Sequence, residues 1–283
     1  MSGLVSILVR SRNDEAYVGS TLKAILEQES PVPFEVISCD DASTDRTPEI
    51  IASFPEVIRL PRPDGEYRPG QRLNYMIRHC RGDLVVFNNA DAVPQDKHWL
   101  ANLIAPLCDG SADAVYGNQL PRPDAAYLVR KDNLRAFGDG SIAASWKFFF
   151  SLATSAAKRE DLLANPFDET IRYSEDVEWA HRRPIRIKYA ADARVEHSHN
   201  YTIGELKRRF YGEGYADGRI FGDRPSLLRE LAAGVKETMR DVLFLLTHPR
   251  GLLELPAAAV RRFIQKYYHW KGIRDYVRDT RQA

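Results

Sequence analysis

Cysteine is scarce: Cys39, Cys80 and Cys108 are the only three in 283 residues, widely spaced and without a C-x-x-C pair. That excludes a disulfide framework or a cysteine zinc site and fits a reducing, cytoplasmic compartment. Charge of one sign is missing too. Forty basic residues balance thirty-nine acidic ones, leaving +1, so no field marks a dedicated nucleic-acid binder. No apolar run reaches the roughly 18 residues of a membrane-spanning helix; the longest candidate is Val242 to Leu246. The N-terminus lacks a basic segment followed by an apolar one, so no secretion signal is expected. Glycine is absent from the loop after the first predicted strand, Arg10 to Asp14. This argues against a dinucleotide-dependent dehydrogenase, whose fingerprint is G-x-G-x-x-G. It also argues against a sugar-nucleotide pyrophosphorylase, which carries a glycine-rich, lysine-bearing loop there.

What is present is alternation. Leu4–Val9 reads as a strand, and Glu15–Glu27 carries Val18, Leu22, Ile25 and Leu26 on one helical face. Strands are predicted at Phe34–Cys39, Val57–Leu60, Leu84–Phe87 and Ala114–Tyr116. Helices are predicted at Thr47–Phe54, opened by Pro48, and at Gly70–Cys80 and Lys97–Leu107. This order predicts an α/β fold with a mostly parallel, Rossmann-like central sheet covered by helices on both faces. Residues 121–155 read as loops lining a site. Glu175–His181 reads as a helix, followed by short strands at Ile185–Tyr189 and Ala193–Glu196. From Thr202 the chain reads as helical to its end, with a stripe of Leu227, Leu231, Val235, Met239, Val242 and Leu246. The expected organisation is a catalytic domain over residues 1–204 and a helical C-terminal region over 205–283.

In such sheets ligands bind beyond the carboxyl ends of the strands. Acidic residues gather there: Asp40 and Asp41, Asp91, and Glu175 with Asp176. Unpartnered carboxylates at one edge raise one another's pKa, so a divalent cation is a natural companion. Carboxylate oxygens with a phosphate-bearing substrate point to Mg²⁺ or Mn²⁺. The alternative for Asp40–Asp45 is a strand-to-helix turn, which favours Asp, Ser and Thr. His197 and His199 alternate after a strand and would project to the same side.

The stretch from Val5 to Glu15, the run Cys39 to Thr47, the Gly70–Asn74 segment and the stretch Arg81 to Phe87 resemble, in that order, the family 2 glycosyltransferases of the GT-A fold. The resemblance covers roughly residues 3 to 205. Within that family the chain is most similar to bacterial rhamnosyltransferase-like enzymes, through His98–Leu100, Gln119–Asp124, Glu175–Trp179 and His197–His199. The resemblance implies that Asp41 accepts the N3–H of a pyrimidine base of a UDP- or dTDP-sugar, with Arg10 and Arg68 near the nucleotide. It also implies that Asn89 and Asp91 stand where the family has D-x-D. Asn89 would meet the ribose, while Asp91 and His197 would hold the metal. Asp176, beside Glu175, would be the general base that removes the acceptor hydroxyl's proton.

The expected activity is inverting sugar transfer from a nucleotide-sugar donor to a glycan or lipid-linked acceptor in cell-surface polysaccharide synthesis. Trp146, Trp179 and Phe148–Phe150 would offer apolar surfaces to sugar faces, or else belong to the core. Asn89, in place of an acid, supports a rival reading: a degenerate transferase domain that binds glycan or nucleotide or assists assembly. Residues 251–283 hold seven basic and three acidic residues around Val260, Phe263, Ile264 and Tyr267. That composition suits peripheral contact with the inner face of an anionic membrane. Packing onto the catalytic domain, or onto a second subunit of a homo-oligomer, is the alternative for the C-terminal helices.

Overall fold

The computed structural model describes residues 3–142, 146, 148–222 and 224–282. Two compact units divide them. The first comprises residues 1–122, 135–170 and 175–197, and the second comprises 123–134, 171–174 and 198–283.

The first unit is built on an eight-stranded sheet of order β3-β2-β1-β4-β7-β6-β8-β5. Its strands are β1 (Val5–Ser11), β2 (Phe34–Asp40), β3 (Val57–Arg59), β4 (Leu84–Asn89), β5 (Val93–Pro94), β6 (Ala114–Leu120), β7 (Thr154–Lys158) and β8 (Ile187–Glu196). The helices of this unit are α1 (Val18–Leu26), α2 (Thr47–Ala52), α3 (Pro69–Arg78), α4 (Trp99–Cys108), α6 (Arg159–Ala164) and α7 (Glu175–His181); α5 (Tyr127–Ala136) runs across the division between the units.

Side-chain alternation on β1 shows why both faces are covered. Val5, Ile7 and Val9 join Leu22 and Ile25 of α1 and Trp99 and Leu103 of α4 on one face. Leu8 joins Leu73 and Met76 of α3, Leu162 of α6 and Trp179 of α7 on the other. Strands β1 to β4 pair in parallel, as expected. The sheet as a whole is mixed, because β7 runs antiparallel between β4 and β6, and β5 antiparallel to β8. Strand β7 begins at the end of the stretch expected to be loop, with Thr154 and Ser155 inside it. Its sequence, Thr154 to Lys158, has three small residues at its centre and no β-branched alternation. Its place is set by its neighbours, including the Trp99 indole, which donates to the Thr154 hydroxyl at 2.9 Å. Ala143, Ala144, Ser145 and Lys147 of that stretch lie outside the described residues. The two short strands predicted near 185–196 form one, β8.

The second unit is helical: α8 (Ile203–Phe221), α9 (Leu227–Leu246), a 3₁₀ turn (Pro249–Glu254) and α10 (Leu255–Gln282). A capping box between Thr202 and Glu205 starts α8, and Gly222 in the left-handed region ends it. Helices α8 and α10 cross on glycine. A Cβ on Gly214 would lie 2.1 Å from the His269 carbonyl oxygen, and one on Gly272 would lie 2.2 Å from that of Tyr211. No described helix is long and apolar enough to cross a membrane.

Candidate active site

The polar ends of β1, β2 and β4 lie side by side, since Arg10 pairs with Cys39 and with Asn89 in register. At the end of β2 the two adjacent acids separate in role. Asp40 is consumed locally, accepting from the Ser11 hydroxyl and from the backbone and hydroxyl of Ser43. Asp41 is buried and accepts from Arg72 Nε at 3.1 Å, with Arg62 at 3.8 Å. Ala42 follows with φ 57°, a left-handed conformation unusual for alanine. Asp40 to Asp45 is therefore a turn, as the plainer alternative held, and it also carries Asp41 toward the arginines.

Arg68, expected near the nucleotide, reaches Glu66 at 3.5 Å and the Thr170 carbonyl at 3.5 Å. Arg72, one helical turn further along α3, is the cation on Asp41. Its other two guanidinium nitrogens are buried without a hydrogen-bond partner. Arg72 is not singled out in the sequence as a contact, although it lies inside the Gly70–Asn74 segment that carries the family resemblance.

At the end of β4, Asn88 closes the turn by donating to the carbonyls of Asn89 and Ala92. Asn89 Oδ1 accepts from Arg10 at 3.4 Å, and Arg10 lies 3.7 Å from Glu175. This chain of contacts ties the aligned D-x-D position to the start of α7. Asp176 follows, half-buried, its Oδ1 accepting from the Val177 backbone at 2.8 Å. Burial, and next the charge of Glu175, push the Asp176 carboxyl up from 3.8 to about 7. Ser174, just before α7, has φ 59°.

Asp91 is buried between an arginine and an imidazole. Arg122 contacts its Oδ2 at 3.2 Å while its guanidinium covers the Tyr17 ring at 3.9 Å. His197 Nε2 lies 3.5 Å from Oδ1. Gln119 donates from its amide nitrogen to Ser151 and presents its oxygen to His197 Nδ1 at 2.8 Å. With the ring proton held on Nδ1, the Nε2 lone pair faces Asp91. Two ligand atoms 3.5 Å apart suit one ion at roughly 2.1 Å from each, and a carboxylate oxygen with an imidazole nitrogen is a donor set that fits a first-row divalent cation. His199 belongs to the second unit, where its ring stacks on Tyr201 at 5.2 Å. Nearby, Asp14 is pushed up to about 6, mainly by burial and further by Asp91, Asp45 and Asp40, against the Arg12 backbone N–H that favours its charged form.

A model of the family "Glycosyl transferase family 2" matches residues 6–165. The chain belongs to the family 2 glycosyltransferases. The transferase is 26% identical over 269 residues to the O-antigen chain rhamnosyltransferase WbaN of Salmonella anatum, covering 87% of this chain and 84% of that protein. It is 24% identical over 292 residues to RfbN of Salmonella typhimurium, also an O-antigen chain rhamnosyltransferase, covering 95% and 91%. Among solved structures, the mannosyltransferase PcManGT from Pyrobaculum calidifontis, in complex with GDP-Man and Mn²⁺, matches with a TM-score of 0.64 at 19% identity over 94% of this chain and 88% of that one. Glucosyl-3-phosphoglycerate synthase from Mycobacterium tuberculosis, in complex with Mn²⁺, UDP-glucose and phosphoglyceric acid, matches at 0.53 and 20% identity over 72% and 75%. These likenesses show the GT-A fold.

Two of the aromatic residues resolve toward the core rather than toward a sugar. Trp179 is a core residue packed on Phe150 and Phe167. Phe150 is buried with it, and only Trp146 of the group is exposed.

Proposed function

We propose that the transferase moves a sugar, with inversion, from a pyrimidine nucleotide-diphosphate sugar to a saccharide acceptor of a cell-surface polysaccharide, lipid-linked and at the cytoplasmic face of the membrane. The rhamnosyl relatives support the polysaccharide assignment. The observation that carries the mechanism is the linked set Asp176, Glu175, Arg10 and Asn89, which ties a carboxyl of raised pKa to the donor end of β4.

Asp41 accepts the N3–H of the base, and the Arg72 guanidinium holds that carboxylate in place. Asn89 binds a ribose hydroxyl. Asp91 and His197 would hold the cation, with His199 the next imidazole along the chain, and Gln119 fixes the His197 tautomer. When bound, the cation stabilises charge on the departing diphosphate. An imidazole in the set favours Mn²⁺ over Mg²⁺. Asp176 takes the acceptor hydroxyl's proton as the oxygen attacks the anomeric carbon. A carboxylate with pKa near 7 is a stronger base than an ordinary one and remains largely ionised just above neutrality. Glu175, paired with Arg10, keeps Asp176 next to the donor rather than acting on substrate itself.

The test is nucleotide diphosphate release from a panel of UDP-, dTDP- and GDP-sugars with Mn²⁺. Release from the UDP- or dTDP-sugars, lost in Asp176→Asn while donor binding persists, is expected. A wild type that binds donor but never releases diphosphate would favour the non-catalytic binding reading, and preference for GDP-sugars would overturn the role given to Asp41.

A further inference from the structure

We propose that the solvent-facing side of α9, with the arginine-lined pocket beside its N-terminus, docks the protein on an anionic phospholipid surface. The sequence suggested the basic stretch 251–283 for such a contact. The structure spends much of α10 on packing: Arg262, Gln265, Gly272 and Ile273 are buried, and Phe263 lies against Gly234 of α9. The unpartnered apolar face is on α9 instead. Leu228, Leu231, Val235, Met239, Leu243 and Leu246 recur at helical spacing along its whole length, with Leu228 82%, Met239 62% and Leu243 65% exposed. In the turn that follows, Leu253 is 88% exposed.

Charge decides what this face meets. Every acidic residue of α9 points away from the stripe, into ion pairs: Glu230 with Lys266 at 3.5 Å, Glu237 with Arg240 at 2.6 Å, and Asp241 with Arg262 at 2.6 Å. The exposed residues bordering the stripe are Arg229 and Lys236, seven apart on one edge and without an ion pair among the described residues. The outward face is thus apolar and cationic only. In an antiparallel symmetric dimer through this face the same patch meets itself, setting basic edge near basic edge with no acid between. A bilayer with anionic headgroups satisfies both features, since leucines enter the acyl boundary while the basic edge meets phosphate.

The pocket at the start of α9 extends the pattern. It encloses about 800 Å³ and is lined by Arg224, Arg274, Arg278 and Arg281 together with Gly218 and Tyr276. Asp275 pairs with Arg274 and Arg278, whereas Arg224 and Arg281 have no carboxylate partner among the described residues. Arg224 stands four residues before Leu228, so the pocket adjoins the leading end of the stripe and offers planar donors to a headgroup phosphate.

The proposal is independent of the donor-site reading and is tested on the full chain by flotation. Phosphatidylcholine vesicles with phosphatidylglycerol should carry wild type, pure phosphatidylcholine vesicles much less, and raised salt should release it. Leu228→Ser, Met239→Ser and Leu243→Ser together, all exposed and harmless to the core, should lower partition about tenfold or more with an unchanged far-UV spectrum. Arg224→Ala with Arg281→Ala should weaken only the phosphatidylglycerol-dependent part. Wild type that stays unbound, or a triple serine variant that floats equally, overturns the proposal. So does a lipid-free dimer that the serine variant dissolves into monomers, which would make a second copy the occupant.

Discussion

Replacing Asp176 by asparagine should separate stability from catalysis in opposite directions. In the folded chain the carboxyl keeps its proton up to about pH 7, against an ordinary value of 3.8. Between those values the native state binds more protons here than the unfolded state, so stability falls as pH rises. The slope approaches 1.4 kcal/mol per pH unit, and over this window it amounts to at most about 4 kcal/mol by pH 8. An amide at this position has no charge to bury, so the variant should lose this slope and be more stable than wild type at pH 8, with little difference at pH 3. Asp14, pushed up to about 6, adds a slope of the same sign in both proteins, so the difference between them isolates position 176. Urea unfolding at pH 5 and pH 8 measures this. Activity should move the other way: wild-type kcat/KM should rise with pH and level off above about 7, while the variant loses roughly 10²- to 10⁴-fold. A variant less stable than wild type at pH 8, or one that still turns over at the wild-type rate, would refute the reasoning.

Arg72→Met should leave Asp41 without its closest cation and weaken UDP binding by about tenfold in calorimetry, whereas Arg68→Met should change it less; the reverse order would make Arg68 the main cation at the nucleotide. Gln119→Leu releases the His197 ring and should raise the Mn²⁺ concentration for half-maximal activity by about 10- to 100-fold, measured by metal titration, while His197→Ala should raise it further. Mn²⁺ should support more activity than Mg²⁺ at equal concentration, and equal rates would remove the imidazole from the metal shell. Gly214→Ala places a methyl against the His269 carbonyl and should cost about 1–3 kcal/mol of stability by thermal unfolding, with the far-UV helix signal retained below the transition.

Much of the site was legible because turns after parallel strands have few roles to play. Asp41, Asn89 and Asp91 sit at or just after the ends of strands and Asp176 at the start of a helix, and local pattern exposes such positions. Arg72, Arg122 and Gln119 were not legible as contacts. Each lies on a helix, strand or loop where a polar residue reads as surface, and only the fold shows Arg72 and Arg122 to be buried against Asp41 and Asp91. Trp179 went the opposite way, since an aromatic next to an acidic pair reads as a substrate platform until packing closes it into the core.

Pattern along the chain was enough to establish the alternation of strands and helices and the acidic residues at the strand ends, because periodicity and turn chemistry act over a few neighbouring residues; the family came from the resemblance of its motifs. Which partner each carboxylate meets came from the fold alone. Asp40 and Asp41 are adjacent and chemically identical, yet the strand's alternation sends one into a serine turn and the other onto Arg72. The direction and place of β7 also came from the fold, since its small residues carry little preference of their own. The exposed side of α9 was settled in the same way: a helical stripe announces an apolar face, but long-range packing determines whether anything covers it.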